Sequence, residues 1–572
     1  MDRILRVDMS TGQVTVEPLP DRWRPYGGRA LTSRIVWEEV DPGCDPLGPN
    51  NKLVWAPGLL SGTTVSSSSR ISVGCKSPLT GGIKEANAGG ETGLYLAQAG
   101  YRAVIVSGAA PPGQWYVLVV DREGGRLEPA PPEILGAGNY AAAPVLFARY
   151  GRSAAIALLG PAGEQRMRIA GIANTDKEGR PARMNARGGV GAVMGAKGLK
   201  AIVVLGDRKH PVPARDPEGW QAGARRYHRA LREHPSTADF YPNLGTPGVL
   251  EKVNKLGGLP TRNFSSGRFE LADAISGVAL RELILARGGA GATTHACMTG
   301  CAIRCSNIFP DAQGRELASA MEFETNCLLG ANLGIGDLDA IARFTRLCND
   351  LGVDTIETGA AIGVAMEAGL LAWGDAAAVE RLLDVEVRRG TPLGRIIGAG
   401  AASAGEVLGV RRVPVVKRQA ISAYDPRVIK GNGVTYATSP MGADHTAGNT
   451  IGYAGDHLDP RDKVAVSREM QIKAGLLDIL GFCNFARGIL DTDPESFVVL
   501  YNARMGTDLT YRDLRRLALE MIRMEVAFNR RAGLGPETDR LPEWMRTEPL
   551  PPHQSVFDVP EEELDRIWEG AE

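Results

Sequence analysis

Three cysteines stand four residues apart in the stretch HACMTGCAIRCSN: Cys297, Cys301 and Cys305. Three thiols in nine residues point to a bound centre rather than to packing. A centre held this way draws its fourth ligand from elsewhere and ties two parts of the chain together. Cys483, in DILGFC, is the candidate. Spacing alone fits either a [4Fe–4S] cluster or a structural four-thiolate zinc site, which would suit a non-catalytic interaction protein. Cys44, Cys75, Cys327 and Cys348 stand singly and read as small buried apolar groups. Cys327 is set apart because it follows Glu322 and Glu324 in EFETNC, so an approach to a metal is a second expectation for it. Eight cysteines in 572 residues are too few for a disulfide scaffold.

Glycine is the compositional outlier, at 71 of 572 residues or about 12 % against a usual ~7 %. It clusters in pairs (Gly81-Gly82, Gly89-Gly90, Gly188-Gly189, Gly288-Gly289), which let the backbone turn left-handed or lie against a bulky ligand. With 65 basic and 66 acidic residues and no basic run, the charge offers no surface for nucleic acid or membrane. No uncharged apolar run approaches the ~18 residues of a membrane span. MDRILRVDMSTG lacks the apolar core of a signal peptide, so the expected location is cytoplasmic.

The chain divides by periodicity. Residues 1–206 hold short β-branched runs (VTVEPL, KLVWAP, RAVIVSG, WYVLVV, AIALLG, AIVVLG) between glycine turns. This region repeats itself weakly: Asp8 matches Asp121, Pro57 matches Pro161 and Gly81 matches Gly188, at offsets of 113, 104 and 107. From 207 onward the period is helical. DLDAIARFTRLCNDLG and AAAVERLLDVEVRRG each end on a glycine, and YRDLRRLALEMIRMEVAFNRRAG carries Leu514, Leu517, Met521, Met524 and Phe528 on one stripe with Gly533 as its stop. LPEWMRTEPLPPHQ reads as an extended surface tail. The expected class is α+β: a β-rich N-terminal domain (1–206) with an internal pseudo-two-fold repeat, then two mainly helical domains (207–410 and 411–572) divided near RRVPVVKRQ.

These residues together resemble the aldehyde:ferredoxin oxidoreductases, the tungsten–pterin enzymes. The resemblance runs nearly end to end, through YGGRAL, RISVGCKSPLTGG, ANAGG, ARGGVGAVMGAKGLKAI, the cysteine run, EFET, LGANLGIGD, AYDPR, DILGFC and TEPLP. It implies a pterin-binding base domain under two helical domains, tungsten (molybdenum in some relatives) held by two pterins, and one [4Fe–4S] cluster, which decides between cluster and zinc. The family's D-x-x-G-L-(C/D) pterin motif is matched by Asp478, Gly481 and Cys483, and in weaker form by Asn349, Gly352 and Asp354, where Asn replaces the first Asp. The resemblance further implies that Arg70, Asn87 and Gly89, with Arg183, Arg187 and Gly188, hold pterin phosphates, partly through Mg2+. Tyr424, Asp425 and Arg427 would line the pterin or substrate pocket. Glu324, with Glu322 as its alternate, and His445 would supply acid and base. The implied reaction oxidises an aldehyde to a carboxylic acid and passes electrons to ferredoxin or a small iron–sulfur subunit. The alternative keeps the cofactor and reduces an acid or acyl thioester. Either partner arrangement is compatible with a homo- or hetero-oligomer.

Overall fold

The computed structural model describes residues 2–206 and 210–571. Two six-stranded sheets are built from the first third of the chain. One contains β1 (Arg3–Asp8), β2 (Gln13–Pro18), β3 (Leu53–Pro57), β4 (Ile71–Lys76), β5 (Ile83–Ala88) and β6 (Tyr101–Ser107), in the spatial order β2-β1-β6-β3-β4-β5. The other contains β7 (Tyr116–Val120), β8 (Gly125–Pro129), β9 (Ala155–Leu158), β10 (Ile172–Asn174), β11 (Arg183–Asn185) and β12 (Leu199–Val204), in the order β8-β7-β12-β9-β10-β11. Strand for strand these are the same topology. In each copy the last strand inserts parallel to the first. Even the bulge recurs: Arg3↔Tyr101 steps to Ile4↔Ala103, and Tyr116↔Leu199 steps to Val117↔Ala201.

The repeat is therefore real, but two of its three sequence landmarks are displaced. Asp8 and Asp121 do correspond, at the ends of β1 and β7. Gly81 lies in the β4–β5 turn, whereas Gly188 follows β11; the glycine in the equivalent turn is Gly179. Pro57 closes β3, whereas Pro161 opens a short helix beyond β9. The connecting loops differ in length between the copies, so no single offset can hold.

Side chains alternate with the strand period of two. Leu5, Val7, Val104 and Val106 meet Leu118, Val120, Ile202 and Val204 in one shared core that also takes helices Thr92–Gln98 and Val190–Ala196. Their neighbours Ile4, Ala103 and Ile105 face outward under helix Gly28–Glu39. Val117, Val119 and Val203 do the same under helix Asn139–Tyr150.

The expected helices form. Leu338–Leu351 starts on its Asp337 cap and stops at Gly352. Ala376–Arg381 starts on Asp375 and continues as a π-turn through Leu382–Val387. Tyr511–Arg531 opens with a Thr510–Asp513 capping box. Its buried stripe is turned from the expected one: Leu514, Met521 and Phe528 are buried, but Glu525 takes the core position beside Met524. Glu525 is buried because Arg29 grips its carboxylate through Nε (3.0 Å) and Nη2 (2.7 Å), while Ser33 Oγ donates at 2.7 Å. The proline-rich segment is not a surface tail. Leu541, Trp544, Met545 and Leu550 are buried, and Trp544 Nε1 donates to the Val413 carbonyl at 3.2 Å.

The break placed between 206 and 207 falls at 207–209, outside the described residues. Just beyond 410 the chain forms a two-strand ribbon (Val415–Val416 with Gln419–Ala420), and one hydrophobic core holds residues from both sides of it. Another core joins Leu59 and Leu60 of the first sheet's loops to Tyr227, Cys301, Cys305 and the run Leu476–Phe482. Among the described residues no helix is long and apolar enough to cross a membrane.

Candidate active site

The four singled-out cysteines converge between the sheets and the helices. Cys297, Cys305 and Cys483 line one cavity together. Cys301 lies beside Cys297 and accepts from Ser67 Oγ at 3.4 Å. The Ser67 carbonyl takes the Cys483 amide at 2.8 Å, so one loop after β3 holds both the run and the distant cysteine. The Cys297 contact and the Ser67 hydroxyl pull the Cys301 thiol down, whereas burial pushes Cys305 and Cys483 up. Four thiolates about 2.3 Å from one zinc ion would sit within about 4 Å of each other. Among the described residues Asp176, Glu178 and His295 also bring three ligand side chains within 4.8 Å of one another.

The two D-x-x-G copies dock on equivalent places of the two sheets. Helix Lys463–Leu480 ends at Gly481 (φ 87°) and helix Leu338–Leu351 ends at Gly352 (φ 74°), both left-handed caps that favour glycine. A Cβ on Gly481 would stand 2.9 Å from Gly58 Cα; one on Gly352 would stand 3.0 Å from Gly160 N. Gly58 follows β3, and Gly160 stands at the matching position after β9. The Gly481 carbonyl accepts from Arg70 N (3.1 Å), immediately before β4, and the Gly352 carbonyl from Gly171 N (2.9 Å), immediately before β10. The pseudo-symmetry of the sheets thus extends to the motif helices above them.

The first residues of the copies differ as their chemistry predicts. Burial and neighbouring Glu85 raise the Asp478 carboxyl well above the usual range, with Arg29 Nη1 3.5 Å away. Asn349 lines the cavity, donates Nδ2 to the Ser319 carbonyl (2.7 Å) and offers its own carbonyl to Asn139 (2.8 Å). At the far ends, Cys483 enters the cavity but Asp354 does not: it caps helix Thr355–Glu367 and receives Arg187 Nε at 3.3 Å.

The first cavity, of about 280 Å3, lies between the two sheets' edges and the cysteines. It gathers Arg70, Asn87, Gly89, Arg183 and Asn349. Arg70 Nε donates to Asn87 Oδ1, and Arg183 donates to Ser306 Oγ at 2.8 Å while its buried Nε has no partner. Any side chain at Gly89 would press on Cys297 Sγ, 3.1 Å from the Cβ position. A second cavity, of about 460 Å3, opens beyond it and shares Arg70, Glu322, Cys483 and Phe485. The second has the size of a small-molecule site, and the first lies just below that range.

Several expected residues lie outside both cavities. Arg187 directs its guanidinium to Asp354, Ser422 and the carbonyls of Ala420 and Ala443. The Gly188 carbonyl accepts from Ser77 Oγ at 2.7 Å. In AYDPR only Tyr424 reaches the second cavity. Asp425 and Arg427 form a fully buried pair (2.7 Å) under the Trp544 ring, which closes the C-terminal segment onto the core. Cys327 lies in that same core, and burial pushes its thiol up.

Glu324 and His445 meet in the second cavity, with Nε2 3.4 Å from Oε1. The Ala423 amide holds the other Glu324 oxygen at 2.7 Å. Burial raises the carboxyl, against a smaller opposing pull from His445. Glu322 is likewise raised by burial and accepts from Thr246 Oγ1 at 2.5 Å. His445 Nδ1 lies 3.0 Å from Ser422 Oγ, which also receives Arg187 Nη1 at 3.3 Å. Because Arg187 can only donate, the serine hydroxyl is free to donate to Nδ1. In that arrangement the ring proton sits on Nε2, on the side of Glu324. Behind the ring, burial of Asp444 is outweighed by Lys84 (2.8 Å) and Arg187, and its carboxyl titrates well below the usual range.

Sequence reasoning missed Ser422, Thr246, Tyr241 and Phe485. Ser422 stands two residues before Tyr424 and Phe485 two after Cys483, so proximity to the motifs was their signal. Tyr241 had none: it reaches the site by stacking on Phe485, with ring centroids 4.4 Å apart.

Two family models match the chain. The aldehyde ferredoxin oxidoreductase N-terminal domain matches residues 4–206, and domains 2 and 3 of the same enzymes match 223–569. The chain belongs to the aldehyde ferredoxin oxidoreductase family. The tungsten-containing aldehyde ferredoxin oxidoreductase of Pyrococcus furiosus is 33 % identical over 96 % of this chain and 92 % of its own length. That of Thermococcus kodakarensis is equally similar. The WOR-like subunit of the aliphatic sulfonate oxidoreductase of Pyrococcus furiosus is 26 % identical over 87 % of this chain and 83 % of its own length. Among solved structures, the active-site complex BamBC of benzoyl coenzyme A reductase shares the fold, with a TM-score of 0.80 and 20 % identity over 99 % of this chain and 93 % of that one.

Proposed function

We propose that this member of the family is a tungsten (or molybdenum) bis-pterin enzyme that oxidises aldehydes to carboxylic acids. Its electrons would leave through one [4Fe–4S] cluster to ferredoxin or a small iron–sulfur subunit. The observation that carries the reading is the paired docking of the two D-x-x-G helices on equivalent positions of the two sheets, around one cavity that also holds the cysteines. Two like sites facing one centre suit two copies of a flat, phosphate-bearing ligand. The division into a base (1–206) and two helical domains (207–410, 411–572) belongs to the same proposal, with the helical domains sharing a core.

The chain's donors fit such a group. Asp478 offers an acceptor to ring N–H groups, and Arg70, Arg183 and Asn87 offer charge and hydrogen bonds to phosphates, with Mg2+ as bridge. Cys297, Cys301, Cys305 and Cys483 would hold the cluster. When bound, the metal supplies a two-electron acceptor.

The rest is the work of side chains. Aldehyde and water become a carboxylic acid with release of two electrons and two protons. A raised, desolvated Glu324 is suited to accept one proton from the attacking water. The His445 Nε2–H beside it orients the carboxylate or the substrate oxygen, and Glu322 is the second acid of the same wall. Phe323 and Tyr424 stack at 4.9 Å and Tyr241 and Phe485 at 4.4 Å, and all four line the second cavity, so the substrate's carbon body meets aromatic faces. These faces also favour the alternative, reduction of an acid or an aryl thioester by the same cofactor. Steady-state assays with a dye acceptor and aldehydes test the first reading; acid- or thioester-dependent oxidation of a reduced dye, without aldehyde oxidation, would replace it.

Ser422→Ala removes the hydroxyl that fixes the His445 tautomer. The expected result is about a tenfold loss of kcat, from mis-set proton transfer, with KM nearly unchanged and Ser422→Thr restoring most of it. An unchanged kcat and pH profile would remove Ser422 from the mechanism.

A further inference from the structure

The cluster-binding run surfaces at its middle. Gly300, Ala302 and Arg304 are exposed between the buried Cys301, Ile303 and Cys305, so solvent lies one residue from the cluster ligands. Helix Pro217–Glu233 covers the neighbouring side. Its buried face carries Tyr227, whose ring lies against Phe482 at 5.0 Å and beside Cys301 and Cys483. His228, the next residue, accepts the Ser66 amide on Nε2 at 3.1 Å, and Ser66 Oγ accepts the Ala302 amide at 2.9 Å. One serine therefore joins the helix to the exposed part of the cysteine run.

The outer face of this helix is mainly basic, with the exposed Glu233 at its C-terminal end. Arg225 and Arg232 stand one turn to either side of His228, on its stripe, and Arg229 adjoins them. All three are exposed and make no ion pair among the described residues; Arg226 is bound to Asp493 at 2.5 Å. No acid occurs between Glu218 and Glu233, and Arg304 adds a fourth charge across the serine. In a chain whose formal net charge is −1, this is a local excess.

We propose that Arg225, Arg229, Arg232 and Arg304 form the docking surface for a small, acidic one-electron carrier that takes electrons from the cluster at Gly300–Arg304. The proposal rests on the cluster assignment above and adds the place and charge of the partner. Each transfer oxidises the cluster by one electron and reduces one carrier by one, so two carriers leave per aldehyde oxidised. Clustered like charge steers an oppositely charged partner and raises its association rate, in a salt-dependent way.

The test mixes dithionite-reduced holoenzyme with an oxidised acidic ferredoxin in a stopped-flow instrument and follows cluster bleaching in reverse. The variant Arg225→Glu/Arg229→Glu/Arg232→Glu should lose about tenfold or more in second-order rate at low salt. It should converge on the unaltered enzyme at high salt, where screening is complete. A basic cytochrome used as carrier should show the opposite order. Equal rates and salt slopes with both carriers would overturn the docking surface while leaving the cluster in place. Since dithionite loads the cluster, the result does not depend on which substrate the enzyme takes; a protein without cluster absorption would overturn both this proposal and the functional reading.

Discussion

Glu324→Gln lowers aldehyde turnover by about 10²–10⁴-fold, the usual worth of a positioned proton acceptor, while iron and tungsten contents stay at their unaltered values. The amide keeps the volume of the carboxylate and can still accept the Ala423 amide, so the fold is preserved and only basicity is lost. The pH dependence carries a sign. Burial raises the Glu324 carboxyl, so the basic form is populated only above the ordinary carboxylate range. Activity should therefore climb with pH through that raised value and reach a plateau above it, and the variant's residual activity should lack this inflection. Steady-state rates across pH 5–9, read with metal analysis, check both points. Full activity in Glu324→Gln would move the role to Glu322, which shares the wall and is also raised.

The largest stability effect is expected at Glu525. Replacing it by Ala leaves the Arg29 guanidinium buried without its bidentate partner, at a cost of about 3–5 kcal/mol. Arg29 then keeps Asp478, 3.5 Å away, and the buried Glu85 as neighbouring acids. A shift of Arg29 toward Asp478 would also occupy the acceptor proposed for the pterin, so cofactor content should fall with stability. The denaturation midpoint of Glu525→Ala against the double variant Arg29→Met/Glu525→Ala separates the two contributions: removing the stranded charge should recover most of the lost stability. A single variant as stable as the unaltered protein would mean that water or another acid satisfies Arg29.

Much of this architecture was legible in the sequence because it rests on local chemistry. Period-two runs became strands, the Asp337 and Asp375 caps opened their helices, and the Gly352 and Gly481 motifs ended theirs. What could not be read was set by distant partners. Glu525 sits in the core only because Arg29 lies across from it, and the proline-rich end is buried because Arg427 and Trp544 meet there. Arg187 looks like a phosphate ligand in its glycine-rich context, yet the fold supplies four protein acceptors around it. Glu324 and His445 are 121 positions apart in sequence and face each other through folding alone. Loop lengths, invisible to a fixed offset, decided which glycines of the two sheets correspond.

The central claim is that two pterin sites and four thiolates converge on one redox centre. Metal and pterin analysis of the anaerobically purified protein, read with its visible spectrum, tests it directly. The account predicts about four irons, one tungsten or molybdenum and two pterins per chain, in a brown protein. Zinc without iron, in a colourless protein lacking pterin, would contradict it and leave the cysteines as a structural site.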